Sequence, residues 1–144
     1  MYDWWIGRCE ARADRLAHAV FSFSLAWLAG LRSPVELAAA ALLAPLPDLD
    51  TWILHRELLH NLFFAVGFPL ALSYAVPLPL PAVLVALISH LLLDSLTPSG
   101  VALFFPLSRR RFGFGVVRAG FQALALVLSL AAALFLAASI LGPR

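Results

Sequence analysis

Residues 119–141 read AGFQALALVLSLAAALFLAASIL: 23 positions without a charge, with Gln122, Ser129 and Ser139 as the only conspicuous polar side chains. As a helix this run is about 35 Å long, enough to cross a hydrocarbon core of about 30 Å. It is not isolated. The 144-residue chain is 62% hydrophobic and only 12% charged, with a mean hydropathy of +0.93, more apolar than a soluble core of this size needs. Backbone in lipid must satisfy its own hydrogen bonds, so the expected fold is all-α: an integral membrane helical bundle forming a single domain, 1–144.

Working outward from that run, four further apolar segments are expected to be helical, at 16–31, 35–46, 58–76 and 82–96. Ser33 and Pro34 suit a helix start before the second segment. That segment is only about 18 Å long, so it is either a short span or re-entrant. Gly67 and Pro69 are expected to kink the third. PLPLP at 77–81 is a stiff turn, and TPSG at 97–100 ends the fourth. Residues 107–118 form a basic interfacial loop around Arg109, Arg110 and Arg111. Trp4 and Trp5, with Arg8, Arg12 and Arg15, make 1–15 an interfacial N-terminal segment, not a cleavable signal.

All the basic charge is arginine. If five spans alternate sides, Arg8, Arg12, Arg15, Arg56, Arg109, Arg110, Arg111 and Arg118 share one side, and Arg32 and Arg144 the other. The positive-inside rule then places the N-terminus in the cytoplasm. A net charge of +2 gives no reason to expect nucleic acid. Cys9 is the only cysteine, which excludes an internal disulfide.

Against this background PLPDLDTWILHRELLHN, residues 45–61, is unusual in carrying two aspartates, two histidines, an arginine and a glutamate. The alternating topology puts Asp48, Asp50, His55 and His60 at the same membrane depth as His18, His90 and Asp94. His90 and Asp94 are four apart and share a helix face. Asp48 and Asp50 would point the same way from an extended turn, and His60 would open the third helix. An aspartate at depth costs about 3 kcal/mol, so Asp94 should face inward with a partner.

Each group has a plainer reading: a satisfied core histidine for His18, a helix-packing clasp for His90 and Asp94, and a capped turn for PDLD. Convergence favours a metal site. Imidazole and carboxylate together suit zinc, with manganese or iron(II) as alternatives. Seven candidate ligands exceed what one tetrahedral ion takes, which points to two or three ions. Two-metal sites commonly act on phosphate esters. Carboxylates in the set argue against haem.

PDLD, HRELLHN and SHLLLDSLTPSG followed by FFP, together with His18, resemble the YdjM-like membrane-bound metal-dependent hydrolases over residues 17–106. Glu57, Leu59 and Asn61 depart from the family's usual form of the second block. The resemblance implies His18, Asp48, Asp50, His55, His60, His90 and Asp94 as metal ligands. It also implies a distant similarity to the zinc phospholipase C and P1 nuclease group.

The leading expectation is therefore a hydrolase of a lipid-like phosphoester at the cytoplasmic interface. Asp48 or Asp94 would bridge two ions, Asp50 or Glu57 would manage the proton, and Arg56 or the Arg109–Arg111 cluster would hold the phosphate. Membrane lipids are the expected partners. Two alternatives remain open: a transporter handling metal ions or protons, and a membrane scaffold with a structural metal.

Overall fold

The computed structural model describes the backbone of residues 2–52 and 58–141 and the side chains of 7–49 and 58–138. The first helix, α1, runs without a break over Tyr2–Leu28, so the N-terminal interfacial segment is not a separate short helix. The side chains of Trp4 and Trp5 lie outside the described residues. Ala13, Asp14, Ala17, His18, Ser22 and Ala26 recur every three or four positions and form its buried stripe. Small residues on that stripe let neighbouring helices approach closely.

The second helix, α2, spans Pro34–Leu43. Proline occupies its first turn, and the Glu36 carboxylate accepts the Ser33 amide at 3.3 Å. Its Ala40 carbonyl accepts a hydrogen bond from Ser22 Oγ at 2.8 Å, both residues being fully buried. That bond fixes α2 against α1.

Residues Leu46–Trp52 form a 3-10 helix, opened by the Asp48 amide donating to the Pro45 carbonyl. The extended PDLD turn expected from the alternation is therefore not formed. The side chain of Asp50 lies outside the described residues, so the shared face expected for Asp48 and Asp50 has no geometry. The two prolines at 45 and 47 favour this tight turn over a strand.

Two shorter apolar helices come next, α3 at Leu62–Ser73 and α4 at Leu80–Ser95. Pro69 lies inside α3. Helix α4 packs against α1, α2, α3 and the 3-10 helix, and nine of its sixteen residues are buried, among them Leu87, His90, Leu93 and Asp94. The last helix, α5, covers Phe121–Leu141 and packs along α1. Among the described residues there is no β-strand; a single antiparallel bridge, Val101 to Phe112, closes the loop before α5. A Cβ on Gly100 would sit 2.5 Å from the Phe112 carbonyl oxygen, and its φ of +60° suits glycine.

About five hydrophobic helices were expected, the second short or re-entrant; among the described residues one helix is long and apolar enough to cross a membrane, through the window Phe121–Ala138. Helices α2, α3 and α4, at 10, 12 and 16 residues, reach about 15, 18 and 24 Å.

Asp14 ties the two longest helices together. Its Oδ1 accepts the Gly120 amide at 3.1 Å, a buried bond joining α1 to the start of α5 across 106 residues. Asp14→Ala should lower stability by about 1.5–3 kcal/mol, the scale of a hydrogen bond to a charged group. Thermal unfolding of the detergent-solubilised protein measures it. Asp14→Asn, which keeps an acceptor oxygen, should recover part of the loss.

Candidate metal centre

Five of the seven expected ligands have described side chains, and the fold brings all five together. His18 comes from the buried stripe of α1 and Asp48 from the 3-10 helix. His90 and Asp94 stand one turn apart on α4, confirming the four-residue spacing. His60 lies just before α3, not in its first turn. The side chains of Asp50, His55, Arg56 and Glu57 lie outside the described residues, so the proton-handling and phosphate-holding roles expected there have no geometry.

The turn that presents His60 is held by Asn61. Asn61 Oδ1 caps α3 by accepting the Phe64 amide at 2.9 Å, and its Nδ2 donates to the Leu58 carbonyl at 2.6 Å. A departure from the family's usual motif therefore does the work of an N-cap. Thr97, in the TPSG turn, donates its hydroxyl to the Asp94 carbonyl at 2.8 Å and fixes the end of α4 beside the acid.

The donor atoms converge on points in space. His60 Nε2 and His90 Nε2 are 3.1 Å apart, and Asp94 Oδ2 is 3.5 Å from each. Asp48 Oδ1 lies 3.6 Å from His60 Nε2 and 3.8 Å from His90 Nε2. Ligands 2.0–2.1 Å from a tetrahedral ion are about 3.3 Å from one another, so the three separations among His60 Nε2, His90 Nε2 and Asp94 Oδ2 suit three donors around one small cation, with Asp48 Oδ1 beside them. The other Asp94 oxygen, Oδ1, faces His18 Nε2 at 3.4 Å. The His18 and His90 rings stack with centroids 3.9 Å apart.

A purely structural polar network would aim each N–H at an acceptor about 2.7–3.2 Å away. Here the imidazole–carboxylate separations are all longer. Among the described residues, both ring nitrogens of His18, His90 Nδ1 and Asp94 Oδ1 are buried without a hydrogen bond. His18, His60, His90 and Asp94 are 0–2% exposed, and a carboxylate buried as deeply as Asp94, with the part-buried Asp48 beside it, requires compensating positive charge. The residues fit a divalent cation on these grounds. Two overlapping triads, His18–Asp48–His90 and His60–His90–Asp94, can each hold an ion.

Burial pushes the Asp48 carboxyl up, but the imidazole of His60 close beside it and those of His90 and His18 nearby hold it below the ordinary carboxylate value. It is therefore ionised at neutral pH, the form that ligates a metal.

The three loop arginines sit elsewhere in the fold. Arg109 stacks over Phe105, Arg110 over Phe112, and Arg111 donates to the Ser99 carbonyl at 3.5 Å. Sequence reading missed Asp14, although it precedes His18 by the same four residues that separate His90 from Asp94. It also missed the positioning role of Asn61, whose signal was a good N-cap residue ahead of an apolar run. Asn61→Ala should cost about 1–2 kcal/mol and raise the metal dissociation constant about 10-fold or more, as loss of a supporting contact does. Unfolding and metal titration read the two effects, and Asn61→Ser should restore part of each.

A family model described as "YdjM inner membrane protein" matches residues 14–143, nearly the whole chain. No curated protein and no solved structure matches it.

Proposed function

The chain belongs to the YdjM family, and we propose that it is a membrane-embedded, metal-dependent hydrolase acting on a lipid-like phosphoester. The observation that carries this reading is the convergence of His60 Nε2, His90 Nε2, Asp94 Oδ2 and Asp48 Oδ1, with His18 on the far oxygen of Asp94. Asp94 would bridge, with one oxygen facing His60 and His90 and the other facing His18. His60 and His90 would hold one ion with Asp94, and His18 and Asp48 would contribute with His90 to a second. Zinc suits this donor set best, and the bound ions would supply Lewis acidity and an activated water.

The chain's own residues orient and shield. Burial of four ligands excludes bulk water, and Asp48, with its side chain 14% exposed, opens the site toward the surface. Asp50 or Glu57 takes the proton, and arginine at the membrane surface receives the phosphate. A membrane location is supported by the family description and by α5, of whose apolar window only 11% is buried within the chain. A soluble core helix would be covered. The arginine distribution supports a cytoplasmic N-terminus and metal site. The distant phospholipase C and P1 nuclease resemblance agrees with phosphoester chemistry.

Purified protein should contain divalent metal and release product from lipid phosphomonoesters or phosphodiesters. Turnover should stop on chelation and in Asp48→Asn. Metal-replete protein inactive on both ester classes would reject the hydrolase.

A second reading is favoured by the tight, fully buried His60–His90–Asp94 triad with Asp48 Oδ1 close to both imidazoles, since structural zinc sites are closed to solvent. Under it the metal ties α4 to the 3-10 helix in a scaffold. It predicts one ion per chain, indifferent to His18→Ala.

A further inference from the structure

Beside the metal centre lies a shallow groove between α1 and the end of α2, lined by Arg12, Arg15, Leu16, Ala19, Ala41 and Pro45 and holding about 380 Å³. We infer that this groove seats an anionic phospholipid, with the phosphate on Arg12 and Arg15 and the glycerol and first methylenes along the apolar walls. The inference deepens the hydrolase reading and rests on it for the claim that the seated lipid is the substrate.

Charge complementarity identifies the occupant. Arg12 and Arg15, three residues apart and both exposed, stand on one face of α1. No acid lines the groove. The nearby acid Asp14 is about 160° round the helix from Arg12 and engages Gly120 at the start of α5. Among the described residues Arg12 has no hydrogen bond or ion pair. The walls are aliphatic, and the adjoining Leu42 is 79% exposed. A small soluble phosphate would gain nothing from such walls, whereas an amphiphile uses both features.

Position identifies the purpose. The Pro45 carbonyl accepts the Asp48 amide at 3.1 Å, so groove wall and metal ligand share one turn. Asp48 is also the least buried of the five converging ligands. The groove therefore ends where the metal centre is accessible, and a headgroup on the arginines lies next to the ester-cleaving site.

The test is native mass spectrometry of the full, metal-replete chain from neutral detergent micelles, counting adducts of three probes. Dioctanoyl phosphatidic acid has both phosphate and chains, dioctanoylglycerol has the chains alone, and glycerol 3-phosphate has the phosphate alone. Phosphatidic acid should outbind both others by about tenfold or more, given charge-assisted bonds from two arginines. The preference should vanish in Arg12→Gln/Arg15→Gln, whose exposed positions do not threaten folding. It should also vanish in Ala41→Trp, which fills the groove, and persist in Arg32→Gln. Undiminished phosphatidic acid binding in the Arg12/Arg15 variant would overturn the proposal. So would equal binding of glycerol 3-phosphate, or loss of the preference only when Arg109, Arg110 and Arg111 are changed to Gln. Turnover measured on the same samples separates the two readings: arginine-dependent lipid binding by metal-replete protein that releases no product supports the groove and rejects the hydrolase.

Discussion

Asp94→Ala should strip the protein of both ions at once. One Asp94 oxygen stands 3.5 Å from His60 Nε2 and His90 Nε2, the other 3.4 Å from His18 Nε2, so a single truncation removes a donor from each half of the centre. Zinc bound by four protein ligands is worth about 10–16 kcal/mol, so one ligand accounts for roughly 3 kcal/mol, or about 100-fold in affinity. Elemental analysis of purified protein should find two or more ions per wild-type chain and almost none in Asp94→Ala, with turnover lost in parallel. His18→Ala is the companion experiment. His18 belongs to one of the two candidate triads and not to His60–His90–Asp94, so one ion should disappear and one remain. Unchanged metal content in both variants would refute the bridging arrangement.

Chelation should destabilise the wild-type chain strongly. Three imidazoles and two carboxylates meet in the interior, and without a cation their charges and unpaired nitrogens remain buried. Metal held at about 1,000 times its dissociation constant stabilises by about 4 kcal/mol, and at this chain length each kcal/mol shifts the melting temperature by about 2–4 °C. Extended dialysis against a chelator should therefore lower the melting temperature by roughly 10 °C. Zinc should restore it and magnesium should not, because magnesium prefers a shell of oxygens. Occupancy should also fall as the pH drops below about 6, where imidazoles protonate and cease to ligate. A melting temperature indifferent to chelator would mean that the cluster is held by its own hydrogen bonds.

The site was largely legible in the sequence because charge is scarce in this chain. A histidine or aspartate amid leucines must be inward-facing and partnered, and the four-residue spacing of His90 and Asp94 placed both on one helix face. The local geometry around Asp48 was not legible. Asp-Leu-Asp has the period of a strand, yet Pro45 and Pro47 and the bond from the Asp48 amide to the Pro45 carbonyl close a 3-10 turn instead. The start of α3 was misplaced for a similar reason. The apolar run from Leu58 reads as the helix start with His60 in its first turn, whereas the Asn61 side chain caps a helix that begins at Leu62 and leaves His60 in the preceding turn. Asp14 was overlooked because it sits among arginines and reads as a solvated charge; its burial depends on Gly120, more than a hundred residues away. The second and third helices were read too long, 35–46 and 58–76 against Pro34–Leu43 and Leu62–Ser73, because apolar turns and apolar helices are indistinguishable by composition, while the first was read too short because its charged start looked interfacial.

The central claim is that imidazoles and carboxylates from α1, the 3-10 helix, the turn before α3, and α4 enclose metal. Diffraction from crystals of the metal-replete protein, recorded on both sides of the zinc absorption edge, tests it most directly. The account predicts one anomalous peak among His60, His90, Asp48 and Asp94, and a second between His18 and the far oxygen of Asp94. Density showing these five side chains around no anomalous peak would contradict it.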